Sequence, residues 1–216
     1  GTTLMTTLYF VRHGESRANV EKVFTGQTDV PLSDRGMRQA EELKERLLSL
    51  RPDAFFSSDL LRAVQTVTPA AEALGLAVRP EKGLREIDGG LWEGKHIGEI
   101  ARAYPEDYAR WTENIGLARC TGGESLEEVQ ARGLAAVLRI AQENDGKAVV
   151  LATHAAMIRA LTCAFRGLPL SEMQHIPFVP NASLSEVRFE SGAFTIGRYA
   201  DVSFLGSDVT RLPENI

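Results

Sequence analysis

The sequence has 216 residues, of which 44% are hydrophobic and 25% are charged, and its formal net charge is −5. A chain of this size builds one substantial core, and its acidic balance disfavours binding to nucleic acids or anionic membranes, which requires a basic face. Two cysteines are too few for a disulfide framework, so we expect reduced thiols and a cytoplasmic location. No apolar run reaches the ~20 residues of a membrane span.

Helices and short strands alternate along the chain. A loop is expected at residues 18–31. Strands are predicted at residues 6–13, 53–57, 76–79, 147–153, 183–189 and 193–199. Helices are predicted from Ser33 or Asp34 to Leu50 and at residues 59–74, 97–103, 105–113, 125–144 and 155–165. This order predicts an α/β three-layer sandwich in which helices flank a mostly parallel central sheet. We expect a single domain over residues 1–216, with an insertion around 81–123 that caps a pocket.

Two of the apolar runs end at a histidine. The first contains Leu8-Tyr9-Phe10-Val11 and ends at His13, and the second is apolar on both faces and is followed by His154. Runs of this kind are typical of buried parallel strands. Ligands in open α/β sheets bind outside the carboxyl ends of the strands. Both imidazoles are therefore predicted to reach the same crevice.

Charged side chains follow two other predicted strands. Arg62 lies in the first turn of the helix after the second strand, and Glu86 follows the third strand. With His13 and His154 they form a predicted rim that suits a phosphoryl group, because guanidinium groups match its oxygens and offset its charge. The helix that begins after His154 is expected to offer further amide donors to an anion.

Several segments occur in an order that is specific as a set, although Arg-His-Gly alone is a weak signal. They are Arg12-His13-Gly14-Glu15; residues 24–33 with Gly36 and Gln39; residues 57–66; Leu84-Arg85-Glu86 with Trp92-Glu93-Gly94; Gly122-Gly123-Glu124-Ser125; Thr153-His154-Ala155-Ala156; and Asn181-Ala182-Ser183. This ordered set resembles the histidine phosphatase superfamily, the phosphoglycerate mutase-like proteins.

The resemblance implies a role for each matching residue. His13 would be the nucleophile that forms a phosphohistidine, and Glu86 would protonate the leaving oxygen and then activate water. Arg12, Arg62 and His154 would hold the equatorial oxygens and stabilise the transition state, so the family implies neither a metal nor another cofactor. The substrate pocket would also include residues that match its lining in the family: Asn19, Thr25, Gly26 and Ala155.

Some assignments stay open at this point. Glu15, Asp88 and Glu93 are alternative proton donors. Trp92 is either a pocket wall or core, and His96 and His175 are expected to be structural or solvated.

The branch of the family is predicted from departures after Glu86. Mutases keep basic and aromatic residues there, whereas this chain has Ile87, Asp88 and Gly89, and its Trp92-Glu93-Gly94 resembles the branch of broad-specificity and α-ribazole phosphatases. We predict a metal-independent phosphomonoester hydrolase that acts on a small phosphorylated metabolite, with no prediction of oligomeric state. The alternatives are a phosphoglycerate mutase, a sugar-bisphosphate phosphatase, or a non-catalytic binding or regulatory member, against which the complete set of four site residues argues.

Overall fold

A six-stranded mixed sheet forms the centre of the computed structural model, which describes residues 4–210. Its strands are β1 (Thr6–Arg12), β2 (Ala54–Ser57), β3 (Val78–Pro80), β4 (Ala148–Thr153), β5 (Leu184–Glu190) and β6 (Ala193–Ile196). Their order across the sheet is β3-β2-β4-β1-β5-β6. The first four in this order are parallel, while β5 and β6 are antiparallel additions at one edge.

Helices cover both faces of this sheet. They are α1 (Arg17–Glu21), α2 (Asp34–Leu50), α3 (Leu61–Leu74), α4 (Ile97–Ala103), α5 (Pro105–Glu113), α6 (Leu126–Glu143) and α7 (Ala155–Phe165). Apolar side chains of α2 and α3 pack against one face and those of α6 and α7 against the other, which gives two hydrophobic cores with the sheet between them. The predicted α/β three-layer fold is therefore confirmed. In the part of the chain that the structure describes, no helix is long and apolar enough to cross a membrane.

The central strand β4 explains why the sheet accepts a continuous apolar run. It lies between β1 and β2, so both of its faces are covered, and Val149, Val150 and Leu151 are completely buried. A strand in this position gains from apolar side chains on both faces rather than from alternation. The pairing with β1 is in register to the end of both strands, where Arg12 lies opposite Thr153.

Two helices are capped by the side chains that the sequence predicts for these positions. Ser33 caps α2 by accepting a hydrogen bond from the Gly36 amide, and Ser125 caps α6 by accepting one from the Glu128 amide. Gly75 ends α3 in the left-handed conformation with a φ of 67°. Most predicted boundaries are within two residues of those observed. The last strand is the exception, because β6 ends at Ile196 and not at residue 199. Pro80, predicted to close the third strand, belongs to β3, at the sheet edge where a missing N–H is tolerated.

The predicted loop at residues 18–31 is partly wrong, because its beginning belongs to the short helix α1. Ser16 and Asn19 form a capping box there, in which each side chain accepts a hydrogen bond from the other residue's backbone amide. This reciprocal pattern offsets the weak propensity of a five-residue helix. The Ser-x-x-Asn spacing could have predicted the start of this helix, but the turn-forming residues that follow favoured a loop.

An aromatic cluster supports the segment that contains α4 and α5. Trp92 is completely buried and packs edge-on against Phe24 and Trp111, with ring centroids 5.5 Å apart in both pairs. Tyr108 of α5 lies against the same indole. Trp92 is therefore part of the core, and α5 is held over the sheet end by aromatic contacts.

Replacing Gly36 with Ala should destabilise the protein by about 1–3 kcal/mol. The first turn of α2 packs so closely on the chain after β1 that an added Cβ would lie 2.1 Å from the carbonyl oxygen of Glu15. Gly98→Ala in α4 is the control, since its Cβ would meet only the flexible end of Arg102. Urea unfolding should show a loss for the first variant alone; equal stability of the two variants would contradict the close packing.

Candidate active site

The register of β1 with β4 brings the two histidines together. The His13 amide donates to the Thr153 carbonyl oxygen at 3.0 Å, directly beyond the last paired residues of both strands. His154 follows β4 as the N-cap of α7. The two imidazole rings lie with their centroids 5.1 Å apart. The expectation that both rings reach one crevice is met in part: they meet at one edge of the sheet, where His13 lines the cavity and His154 is completely buried.

The His13 ring is held in one tautomer. Its Nδ1 lies 2.7 Å from the carbonyl oxygen of Gly14, and since a carbonyl only accepts hydrogen bonds, Nδ1 carries the proton and Nε2 has a free lone pair. Burial, and next the positive charges of Arg62 and Arg12, hold the pKa of His13 well below its usual value. The ring is therefore neutral at neutral pH.

Two buried guanidinium groups flank this ring, and each is 2% exposed. Arg12 donates from Nη1 to the Val179 carbonyl oxygen at 2.7 Å, and its guanidinium carbon lies 5.6 Å from the centroid of the Phe178 ring. Arg62 donates to the carbonyl oxygens of Thr28, at 2.9 Å, and Gly26, at 2.6 Å.

Burial lowers the pKa of Arg12 to about 10 and also lowers that of Arg62, and the nearby charge of Glu86 opposes both shifts. Arg12 therefore stays protonated at neutral pH, since even its lowered pKa lies well above 7.

Glu86 is bound by the first turn of α7. Its carboxylate accepts hydrogen bonds from the amides of Ala156 and Met157, at 3.1 and 3.2 Å, and from its own neighbour Ile87 at 3.1 Å. The helix start also favours a negative charge. The prediction that α7 offers its amides to a ligand is therefore wrong for these two groups, because a carboxylate of the chain already occupies them.

The backbone of Glu86 is fixed from the opposite side by Arg132 of α6. Arg132 donates to the Glu86 carbonyl oxygen at 2.8 Å and forms a two-point ion pair with Glu124, at 2.9 Å for both contacts. It also binds the carbonyl oxygens of Gly83 and Arg85. Sequence reasoning missed Arg132, since a single arginine on an amphipathic helix gives no signal of this role.

His154 is completely buried behind His13. Its Nε2 lies 2.8 Å from the hydroxyl oxygen of Ser58, the residue that follows β2. Burial, and then the charges of Arg62, His13 and Arg12, hold the pKa of His154 well below its usual value. Ser58 was quoted within a matching segment but was not proposed as a site residue.

The alternative proton donors have other partners. Glu93 accepts from the amides of Gly26, Gln27 and Gly89 and from the Thr28 hydroxyl group. Glu15 binds Ser33 and Arg35, and Asp88 accepts from the Gly90 amide. Among the described residues that line the cavity at this edge, Glu86 is the acidic one.

The site opens into a cavity of about 900 Å³. Of the predicted site residues, its lining includes Arg12, His13, Asn19, Thr25, Arg62, Glu86 and Ala155. Two predicted residues lie behind the lining: His154 contacts His13, and Gly26 gives its carbonyl oxygen to Arg62 and its amide to Glu93. His96, expected to be structural or solvated, is exposed and also lines the cavity, whereas His175 is exposed.

Sequence reasoning missed further lining residues, among them Tyr108, Trp111, Arg159 and Phe178. They belong to α5, α7 and the segment before β5, where no local pattern marked them. Across residues 4–210, no group of three or more His, Cys, Asp or Glu side chains is arranged to hold a metal ion.

Comparisons with known proteins agree with this arrangement. Residues 8–202 match the family model of the histidine phosphatase superfamily (branch 1). Phosphoserine phosphatase 1 of Hydrogenobacter thermophilus is 36% identical over 186 residues, which cover 86% of this chain and 88% of that protein. A probable phosphoglycerate mutase GpmB of Klebsiella pneumoniae is 30% identical over 206 residues, with coverage of 93% and 95%.

The solved structure of Bacillus stearothermophilus YhfR superimposes with a TM-score of 0.89 at 32% identity, covering 93% of this chain and 99% of that one. The chain belongs to the histidine phosphatase superfamily. The predicted family and the prediction of a phosphatase enzyme are thereby confirmed.

Stability should depend on pH through His13. Its folded-state pKa is depressed, so below about pH 6.5 the unfolded chain binds a proton at this position that the folded protein does not. Stability is therefore fully present above that pH and is lost as the pH falls. His13→Asn should flatten the decline of the unfolding free energy between pH 6 and 5 by up to ~1.4 kcal/mol per pH unit. Urea unfolding at several pH values measures this slope, and parallel curves would rule out the depressed pKa.

Proposed function

We propose that this protein hydrolyses small phosphomonoesters without a metal, through a phosphohistidine on His13. The observation that carries the proposal is the hydrogen bond from His13 Nδ1 to the Gly14 carbonyl oxygen, which leaves a neutral Nε2 as nucleophile. Two buried arginines beside it supply the positive charge that a phosphoryl group requires. Asn19, Thr25 and Ala155 keep their proposed part in the substrate pocket, and Gly26 is proposed to support it from behind the lining by binding Arg62.

In the first half-reaction, Nε2 of His13 attacks phosphorus and the bond to the ester oxygen breaks. Arg12 and Arg62 balance the charge of the equatorial oxygens, and the departing oxygen takes a proton from Glu86. His154, which packs on His13 from behind, is proposed to assist the same oxygens. This step leaves Glu86 ionised.

In the second half-reaction, water attacks the phosphohistidine and releases phosphate. Glu86 now acts as the base that takes a proton from this water, and it returns to its protonated form. The amides of Ala156 and Met157 hold the carboxylate at the cavity wall. One carboxyl group thus serves both steps with opposite protonation.

A mutase is the second candidate, because a probable phosphoglycerate mutase is 30% identical to this chain. A mutase must protect its phosphohistidine from water until a second substrate accepts the group. The cavity here is about 900 Å³ and is lined on one side by α5, with Tyr108 and Trp111. This volume admits water beside a small ester, which favours hydrolysis. We propose that residues 81–123 cap this cavity within a single domain.

Phosphohistidine trapping tests the nucleophile directly. Mixing the protein with a radiolabelled phosphomonoester in the presence of a chelator, followed by a rapid quench, should yield acid-labile phosphate that peptide mapping places on His13. His13→Asn, which keeps the size and a hydrogen-bonding side chain, should lose the label and at least about 1000-fold in turnover. Label on another residue, or full turnover by the variant, would refute the assignment.

Glu86→Gln separates the two roles of the carboxyl group. Hydrolysis of alkyl phosphates should fall about 100-fold or more, because the leaving oxygen lacks a proton donor. With p-nitrophenyl phosphate, whose leaving group needs no proton, rapid mixing should still show a burst of nitrophenol followed by a slow steady rate. Asp88→Asn is the matched control, since an amide oxygen preserves its contact with the Gly90 amide. Equal losses on both substrates without a burst would point to another acid.

A further inference from the structure

Arg159 lies in the cavity but has no part in the proposed hydrolysis. It belongs to α7 and is half-buried in the lining. A guanidinium group has five N–H donors, and within residues 4–210 the one hydrogen bond of Arg159 runs from Nη2 to the Met173 carbonyl oxygen at 2.9 Å. Its Nε is buried and has no hydrogen-bond partner among the described residues. The remaining N–H groups of this half-buried guanidinium group are donors that an acceptor from outside the chain can use.

The position of Arg159 on α7 places it beside the phosphoryl site. Ala155 and Arg159 are four residues apart, so they share one face of the helix with a rise of about 6 Å between them. Long helical side chains lean toward the helix N-terminus, which is the end that holds the Glu86 carboxylate. Arg159 therefore follows the residues that bind Glu86 by about one helical turn, and its side chain lines the cavity.

The cavity lining carries more positive charge than is needed to balance a phosphate group. Its described lining contains the cations Arg12, Lys22, Arg62 and Arg159 but one acidic residue, Glu86. A phosphomonoester carries a charge of about −1.5 to −2, which the two buried arginines near His13 balance. Lys22, which is exposed, and Arg159 are the remaining cations. Of the two, Arg159 has the planar donor fork, a geometry that matches a carboxylate.

We propose that Arg159 binds a carboxylate of the substrate. The favoured substrates are then phosphomonoesters of small hydroxy acids. At roughly 1.5 Å per bond, about two or three carbon atoms would separate the ester oxygen from the carboxylate. This inference rests on the proposed function, because it assigns the substrate class of the same site. It makes Arg159 a specificity-determining residue.

Matched substrate pairs test this assignment. O-phospho-L-serine is compared with O-phosphoethanolamine, which lacks only the carboxylate, and 3-phosphoglycerate is compared with glycerol 1-phosphate. The native protein should prefer the carboxylate member of each pair in kcat/KM. Arg159→Met should reduce that preference by roughly 10- to 100-fold, the loss expected of a charge-assisted contact. Arg159→Lys should restore part of it.

A control is needed because Arg159 also holds the Leu170–His175 turn through Met173. Tyr199→Phe removes a hydrogen bond to the chain two residues after this turn, from the phenol to the Pro177 carbonyl oxygen, without removing a cation. This variant should keep the native preference for carboxylates. An equal loss in both variants would mean that Arg159 acts by positioning the turn, which overturns the proposal.

The outcomes separate this inference from the proposed function. If the native protein turns over phosphomonoesters but ignores the carboxylate, or if Arg159→Met leaves the preference intact, the carboxylate site is refuted and the hydrolase stands. If no ester is turned over, calorimetric binding of the same pairs to His13→Asn decides the matter. A tighter Kd for the carboxylate member that depends on Arg159 supports the site; equal Kd values refute it.

Discussion

Burying two arginine charges beside two neutral imidazoles is the constraint on which the rest of the site depends. An uncompensated charge in such a place costs about 3–5 kcal/mol when a partner is removed, so each guanidinium group must be met by oxygen atoms. Backbone carbonyl groups provide many of them: Val179 for Arg12, and Thr28 and Gly26 for Arg62. These carbonyl groups are neutral acceptors, so they stabilise the guanidinium groups without adding negative charge. Burial, and next the charges of Arg62 and Arg12, hold the pKa of His13 well below its usual value.

Those carbonyl groups must themselves be held in place, and this requirement extends the site well beyond the catalytic residues. Glu93 binds the amides of Gly26, Gln27 and Gly89, so one carboxylate joins the chain after α1 to the chain after Glu86. Its negative charge also opposes the lowering of the Arg62 pKa that burial causes. Glu93 was considered above as a proton donor. Its contacts show instead that it fixes the loop whose oxygens receive Arg62.

The sequence revealed the parts of this arrangement that depend on strand patterning. His13 and His154 were predicted to lie close together because each follows an apolar run. In the structure, the residues directly before them, Arg12 and Thr153, are paired in the sheet, and this pairing brings the two histidines together. Arg62 and Glu86 were found because each follows a strand of the same sheet. Residues such as Ser58, Arg132 and Arg159 were not found, because their roles depend on contacts between elements that are distant in sequence. A single polar residue of this kind produces no repeating pattern in the sequence.

The first turn of α7 shows how such distant contacts change a local expectation. A helix N-terminus attracts an anion, and sequence alone does not say whether that anion is a ligand or a side chain. Here the Glu86 carboxylate takes the amides of Ala156 and Met157, while Arg132 secures its backbone from α6. Because α7 also carries Arg159 one turn further on, a single helix positions the proposed acid–base group and the proposed carboxylate site. The distance between them is then set by helix geometry rather than by a loop, so the span of substrate that fits is fixed by the fold.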